Sequence, residues 1–167
     1  MIKAHWAYLK GLVGHKLGVL YGCLIVDVPI VTGIIHDWTK FLPCEWFAYV
    51  KQFRNPDGTK RECRNPDGSY DPSEQPVGFQ KAWMHHQRNK HHWQAWSCVG
   101  DGGNISPIEM PEKYVREMIA DWIGASRTYE GKWPELHNWK WYNENFDKIR
   151  VHPKTKNLII SLLVDRI

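Results

Sequence analysis

Apolar residues recur at three- and four-residue steps along most of the chain, the period of helices that each bury one side. Trp6, Leu9, Val13, Lys16, Leu17, Leu20 and Leu24 mark the pattern over residues 2–27. Pro29 opens a second helix, at a position where its missing N–H costs nothing, and this helix runs through His36-Asp37 to end near Lys40. A third covers residues 44–53 and is rich in aromatic residues (Trp46, Phe47, Tyr49). Residues 77–98 read as helix again. After Pro111 another begins, with Tyr114, Met118, Ile119, Trp122 and Ile123 as its inward side. Residues 132–146 read as part helix and part loop, and residues 155–166 as a closing amphipathic helix that packs through Leu158, Ile159, Leu162 and Leu163. The expectation is an all-α helical bundle, one domain over residues 1–167.

The periodicity breaks at residues 54–76. Arg-Asn-Pro-Asp-Gly stands at 54–58 and again at 64–68. Pro-Asp-Gly is turn chemistry, with proline preset for the first central position and glycine available for positive φ. Ten residues from turn to turn suit a folded excursion or a small hairpin, and the expectation is a surface loop rather than a substrate lid. The glycine-rich run 100–104 reads as a connector.

At 167 residues, with 43% hydrophobic and 24% charged side chains, the chain is large enough for a substantial core. Its net charge of +4 is spread out, which argues against a dedicated nucleic-acid binder and is compatible with a small anionic substrate. Cys23, Cys44, Cys63 and Cys98 form no Cys-x-x-Cys pair, excluding a zinc ribbon and a disulfide scaffold. The apolar stretch 17–35 holds Asp27 and Pro29 in its middle, so it reads as two buried helices and not as a membrane span. The first residues lack a basic start followed by a cleavable apolar segment, and a cytoplasmic location is expected.

Ten tryptophans and nine histidines are the unusual entries in the composition, and the histidines change the picture. His36 and Asp37 are adjacent and metal-capable, and Lys40 follows three residues later. On a helix they would point about 100° apart yet both reach one cation. Imidazole with carboxylate suits Mn, Fe, Co, Ni or Zn. His15 lies on the first helix. Residues 83–93 hold His85, His86, His91 and His92; on a continuous helix His85, Asn89 and His92 share one face. His86 and His91 then point elsewhere and read as core or surface residues. Asp121 is set among apolar neighbours beside Trp122, where a carboxylate needs a partner or a metal.

The order His15, His36-Asp37, His85, His92, Asp121 resembles that of the HD-domain metal-dependent phosphohydrolase superfamily. The resemblance is closer still to a family of short, functionally uncharacterised HD-like proteins of phages and bacteria. It rests on His36-Asp37-Trp38-Thr39-Lys40-Phe41, Asn89-Lys90-His91-His92 and Asp121-Trp122, within about residues 5–165. It implies a helical HD-type bundle in which His15, His36, Asp37 and Asp121 bind one metal. His85 and His92 would help hold a second, with Lys40 near the anionic group of the substrate. The chain departs from the binuclear pattern in placing its two middle histidines within seven or eight residues, so one ion, with His85 or His92 serving the substrate, is the alternative to two.

The expected activity is hydrolysis of a phosphomonoester or phosphodiester, with a nucleotide as the substrate class. A metal at these ligands lowers the pKa of a bound water and polarises phosphorus. Lys40, Arg88 and Asn89 would bind the substrate, and His85 or Asp37 would accept the proton. The alternatives are a di-iron oxygenase on the same scaffold and a catalytically silent ligand-binding protein. The expected partner is a small phosphorylated molecule, with no stable nucleic-acid complex and no membrane; a homodimer stays open.

Overall fold

The computed structural model describes residues 2–66 and 68–167. Asp67, inside the second Pro-Asp-Gly turn, and Met1 lie outside the described residues. The protein is mostly helical: α1 (Ile2–Ile25), α2 (Ile30–Ile35), α3 (Pro43–Phe53), α4 (Val77–His86), α5 (Glu112–Glu130), α6 (Lys140–Asn145) and α7 (Pro153–Val164), joined by short 3₁₀ turns. One small antiparallel hairpin, β1 (Ser97–Val99) and β2 (Ile105–Pro107), interrupts the all-α pattern, with Cys98 opposite Ser106. The glycine run of residues 100–104 is the turn of this hairpin. No helix is long and apolar enough, among the described residues, to cross a membrane.

The pair α1 and α5 forms the spine. They meet through small residues: a Cβ on Gly18 would lie 2.8 Å from the Gly124 Cα, and one on Gly22 would lie 2.6 Å from the Ala120 carbonyl oxygen. The buried stripe of α1 is therefore Ala4, Tyr8, Leu12, His15, Val19 and Cys23. This corrects the sequence expectation, since Trp6, Val13, Leu17 and Leu24 are exposed. Helix α1 is apolar on several sides, so side-chain size misleads: the smallest residues mark the side that a neighbouring backbone approaches.

Two apolar clusters share α1. Ala4, Tyr8 and Leu12 pack with Tyr49, Val50, Phe79 and Ala82 of α3 and α4. Val19, Cys23 and Val26 pack with Met118, Ile119, Ile123, Ile159 and Leu163 of α5 and α7. His15 stands between the two clusters along the helix. The excursion after α3 folds into two equivalent turns: the Gly58 amide donates to Asn55 at 2.9 Å and the Gly68 amide to Asn65 at 2.8 Å. The second turn is fastened to α6, where the Lys140 ammonium donates to the Pro66 carbonyl at 3.2 Å.

Candidate metal centre

The centre begins where α2 ends. The His36 amide closes the last turn by donating to Thr32 at 2.7 Å, and Asp37 then takes φ 56°. That left-handed conformation costs a non-glycine residue about 1 kcal/mol or more, and aspartate tolerates it better than most. A 3₁₀ turn, Trp38–Phe41, follows at once. So His36-Asp37 is not part of a continuing helix, as the sequence suggested. The chain reverses there, and the reversal turns both consecutive side chains inward, His36 to 1% exposure and Asp37 to 2%. Lys16 of α1 secures it, its ammonium donating to the carbonyl oxygens of Ile34 and His36. Lys40 pairs with the Asp37 carboxylate from within the same turn.

Around Asp37 two donor sets converge. On one side His15 Nε2 is 3.3 Å from Asp37 Oδ2 and 3.1 Å from Asp121 Oδ1, while His36 Nε2 is 3.5 Å from both Asp37 Oδ1 and Asp121 Oδ1. On the other side Asp37 Oδ1 is 3.4 Å from the Nε2 atoms of His86 and His91. The Nε2 of His92 lies 2.9 Å from that of His86. In each set, His15-His36-Asp37-Asp121 and Asp37-His86-His91-His92, the donor atoms fall within 4.8 Å of one another, and Asp37 belongs to both. His15 and Asp121 meet because α1 and α5 cross so closely: each stands three residues before the glycine at the crossing.

Two further carboxylates orient the imidazoles. Glu117, one turn before Asp121 on α5, accepts from Nδ1 of His36 and of His91, each at 3.2 Å. Glu45 of α3, fully buried, accepts from His85 Nδ1 at 2.6 Å, and its other oxygen lies 3.1 Å from His86 Nδ1 as an ion-pair contact. A carboxylate on Nδ1–H fixes the tautomer and leaves the Nε2 lone pair facing the cluster. The Nε2 atoms of His15, His36 and His91 and Asp37 Oδ1 are buried without a hydrogen-bond partner. Buried polar atoms left this way are costly, and a cation that displaces the imidazole protons and draws on all of these atoms would satisfy them together. These clusters could hold a metal ion.

The electrostatics agree with such a set. Burial disfavours charge on His15, but Asp121 and Asp37 outweigh it and raise its pKa to about 9. Burial is likewise overcome at His91, raised to about 9 by Asp37 and Glu117. Burial, with the neighbouring charges of His91 and His86, holds His92 well below the ordinary imidazole value. Asp37 and Asp121 stay ionised: burial opposes this, but the surrounding histidines, and Lys40 for Asp37, prevail. Glu117, despite burial, is drawn down to about 2 by His36 and His91.

Of the sequence candidates, His15, His36, Asp37, Lys40, His92 and Asp121 come together here. His85 does not: it sits behind His86 on Glu45 with 42% of its side chain exposed. Arg88 is exposed on the following turn. Asn89 faces inward but donates to Thr39 Oγ1 at 3.2 Å, and that hydroxyl lies 3.4 Å from His86 Nδ1, so Asn89 buttresses a histidine. The reason is that α4 ends at His86. Residues 87–92 turn back, the His92 amide donating to Asn89 at 3.0 Å, and this return carries His91 and His92 onto His86. The shared face assumed for a helix over residues 77–98 therefore does not exist, and His86 and His91, read from the sequence as core or surface, lie inside the cluster. Glu45 and Glu117 were also missed. Glu117 carried a signal, standing four residues before Asp121 on one helix face.

The model of a family of unknown function (DUF5662) matches residues 4–165, and the chain belongs to that family. No curated protein and no solved structure matches it.

Proposed function

We propose that this family member is a metal-dependent phosphohydrolase of the HD-domain type, acting on a nucleotide or similar phosphate ester with two divalent ions at one centre. The observation that carries the reading is the sharing of Asp37 by two four-donor sets. His15, His36 and Asp121 would complete one position and His86, His91 and His92 the other. The short spacing of the middle histidines does not argue against a second ion, since the turn after α4 returns His91 and His92 to His86.

A divalent metal bound there supplies Lewis acidity and lowers the pKa of water. The chain's own groups do the rest. Glu117 and Glu45 hold three imidazoles in the Nδ1–H tautomer. Lys40, whose side chain is 17% exposed, neutralises Asp37 in the free protein and is placed to receive a phosphoryl oxygen once Asp37 is engaged.

A di-iron oxygenase is the second reading, favoured by the same observation, because a shared carboxylate among imidazoles also suits paired iron. Incubation of protein reconstituted with Mn, Co or Fe with nucleoside mono- and diphosphates separates the readings. Phosphate release supports the first; iron-dependent O₂ consumption without phosphate release refutes it.

A further inference from the structure

Helix α2 doubles back on α1. A Cβ on Gly33 would lie 2.9 Å from Leu20 Cδ2 and 3.1 Å from Cys23 Sγ, and the Lys16 ammonium donates to the Ile34 carbonyl at 2.9 Å. These contacts use the inner side of α2 and leave its outer side to solvent. Val31, Ile34 and Ile35 are 57–61% exposed there. Beside α2, on the flank of α1, stand Leu17 and Leu24, three residues before and four after Leu20 and so on its side of the helix. They are 62% and 63% exposed, and the exposed residues Val13 and Ile30 extend the patch. The apolar stretch of residues 17–35, which reads from the sequence as two buried helices, is therefore buried on one side only.

Together these side chains present on the order of 700 Å² of apolar surface. That exceeds the largest patch of a typical monomer, about 300–600 Å², and approaches the roughly 800 Å² that each partner gives to a stable interface. The patch carries no free charge. Helix α2 has no ionisable residue. Lys16 is turned back onto backbone carbonyls, and Arg166 is engaged with the Asp27 carboxylate at 2.6 Å and the Ile25 carbonyl at 2.9 Å. A helix that lies on a membrane surface draws on lysine and arginine to meet anionic headgroups, and these two cations are occupied within the chain. An uncharged apolar face instead meets its own copy across a two-fold axis without opposing like charges.

We propose that the outer side of α2 and the adjoining flank of α1 form the interface of a homodimer, in which two copies of the chain bury this face against each other. Pairing covers the helix that ends in His36-Asp37. It requires neither metal nor substrate, so it stands independently of the phosphohydrolase reading.

The test is sedimentation equilibrium of the full chain at about 50 μM, above the micromolar dissociation constants found at the weak end for interfaces of this size. The expected result is twice the chain mass. Val31→Glu and Leu17→Glu each set a carboxylate into the interface twice, once per copy, and should weaken the dimer about 100-fold or more. Both positions face solvent in the single chain, so the circular-dichroism spectrum of each variant should stay helical. Met84→Glu, on α4 and 62% exposed, should leave the dimer intact. A monomer at that concentration overturns the proposal, and so does a dimer that survives both interface substitutions or is weakened equally by Met84→Glu. A monomeric protein that floats with phosphatidylglycerol vesicles would assign the face to a membrane and equally overturn it.

Discussion

Replacing Gly124 by alanine would put a methyl carbon 2.6 Å from the Val19 amide nitrogen, across the contact that joins α1 to α5. The nearest obstructing atom is backbone, so no rotamer change relieves the overlap, and the helices must separate by roughly 1 Å to reach ordinary contact distance. Overpacking of this kind costs about 1–3 kcal/mol, against about 1 kcal/mol gained by giving a helix alanine for glycine. The net expectation is a loss of up to about 2 kcal/mol, or a fall in Tm of up to about 8 °C for a chain of this size. Gly14 is the internal control: it lies on the same α1 and a Cβ there meets nothing within 4 Å, so Gly14→Ala should stabilise by up to about 1 kcal/mol. The two variants should move in opposite directions in a thermal melt followed by circular dichroism. Separation of the helices also opens the 3.1 Å approach of His15 to Asp121, so Gly124→Ala should retain less metal. A Gly124→Ala protein as stable and as metal-rich as Gly14→Ala would refute the close-crossing argument.

Glu117→Gln removes no proposed ligand but takes away the negative charge that two imidazoles face, and should weaken metal binding about 10- to 100-fold in a competition assay with a chelating dye. Without metal, His15 and His91 keep protons up to about pH 9, so metal binding near pH 7 should release about two protons per chain. Titration calorimetry in buffers of different ionisation heat reads that number directly. Both pKa values lie above the unfolded value, so their contribution to metal-free stability is complete below about pH 6.5 and lost as pH rises through about 9. The Tm of metal-free protein should fall across that window. Lys40→Ala should raise KM about tenfold or more while leaving metal content unchanged, as steady-state kinetics beside elemental analysis would show.

The helices that carry the centre could be read from periodicity. Residues 2–27, 44–53 and 112–123 come close to α1, α3 and the buried part of α5, and His15, His36, Asp37 and Asp121 were picked out by residue type and setting. What failed was orientation. On α1 the inward side is made of small residues, so the larger apolar residues gave the wrong face. After His86 the chain leaves the helix without a glycine or proline to announce it, and helical geometry then selected His85 in place of His86 and His91. The paired turns of the excursion were visible; their attachment to α6 was not.

The central claim is that Asp37 serves two metal positions at once. The direct measurement is elemental analysis of full-length protein after reconstitution with Mn, Fe, Co, Ni or Zn, beside Asp37→Ala and His92→Ala. The account predicts two ions per chain, loss of both in Asp37→Ala and retention of one in His92→Ala. No bound metal under any condition, or an Asp37→Ala protein that keeps its full complement, would contradict it.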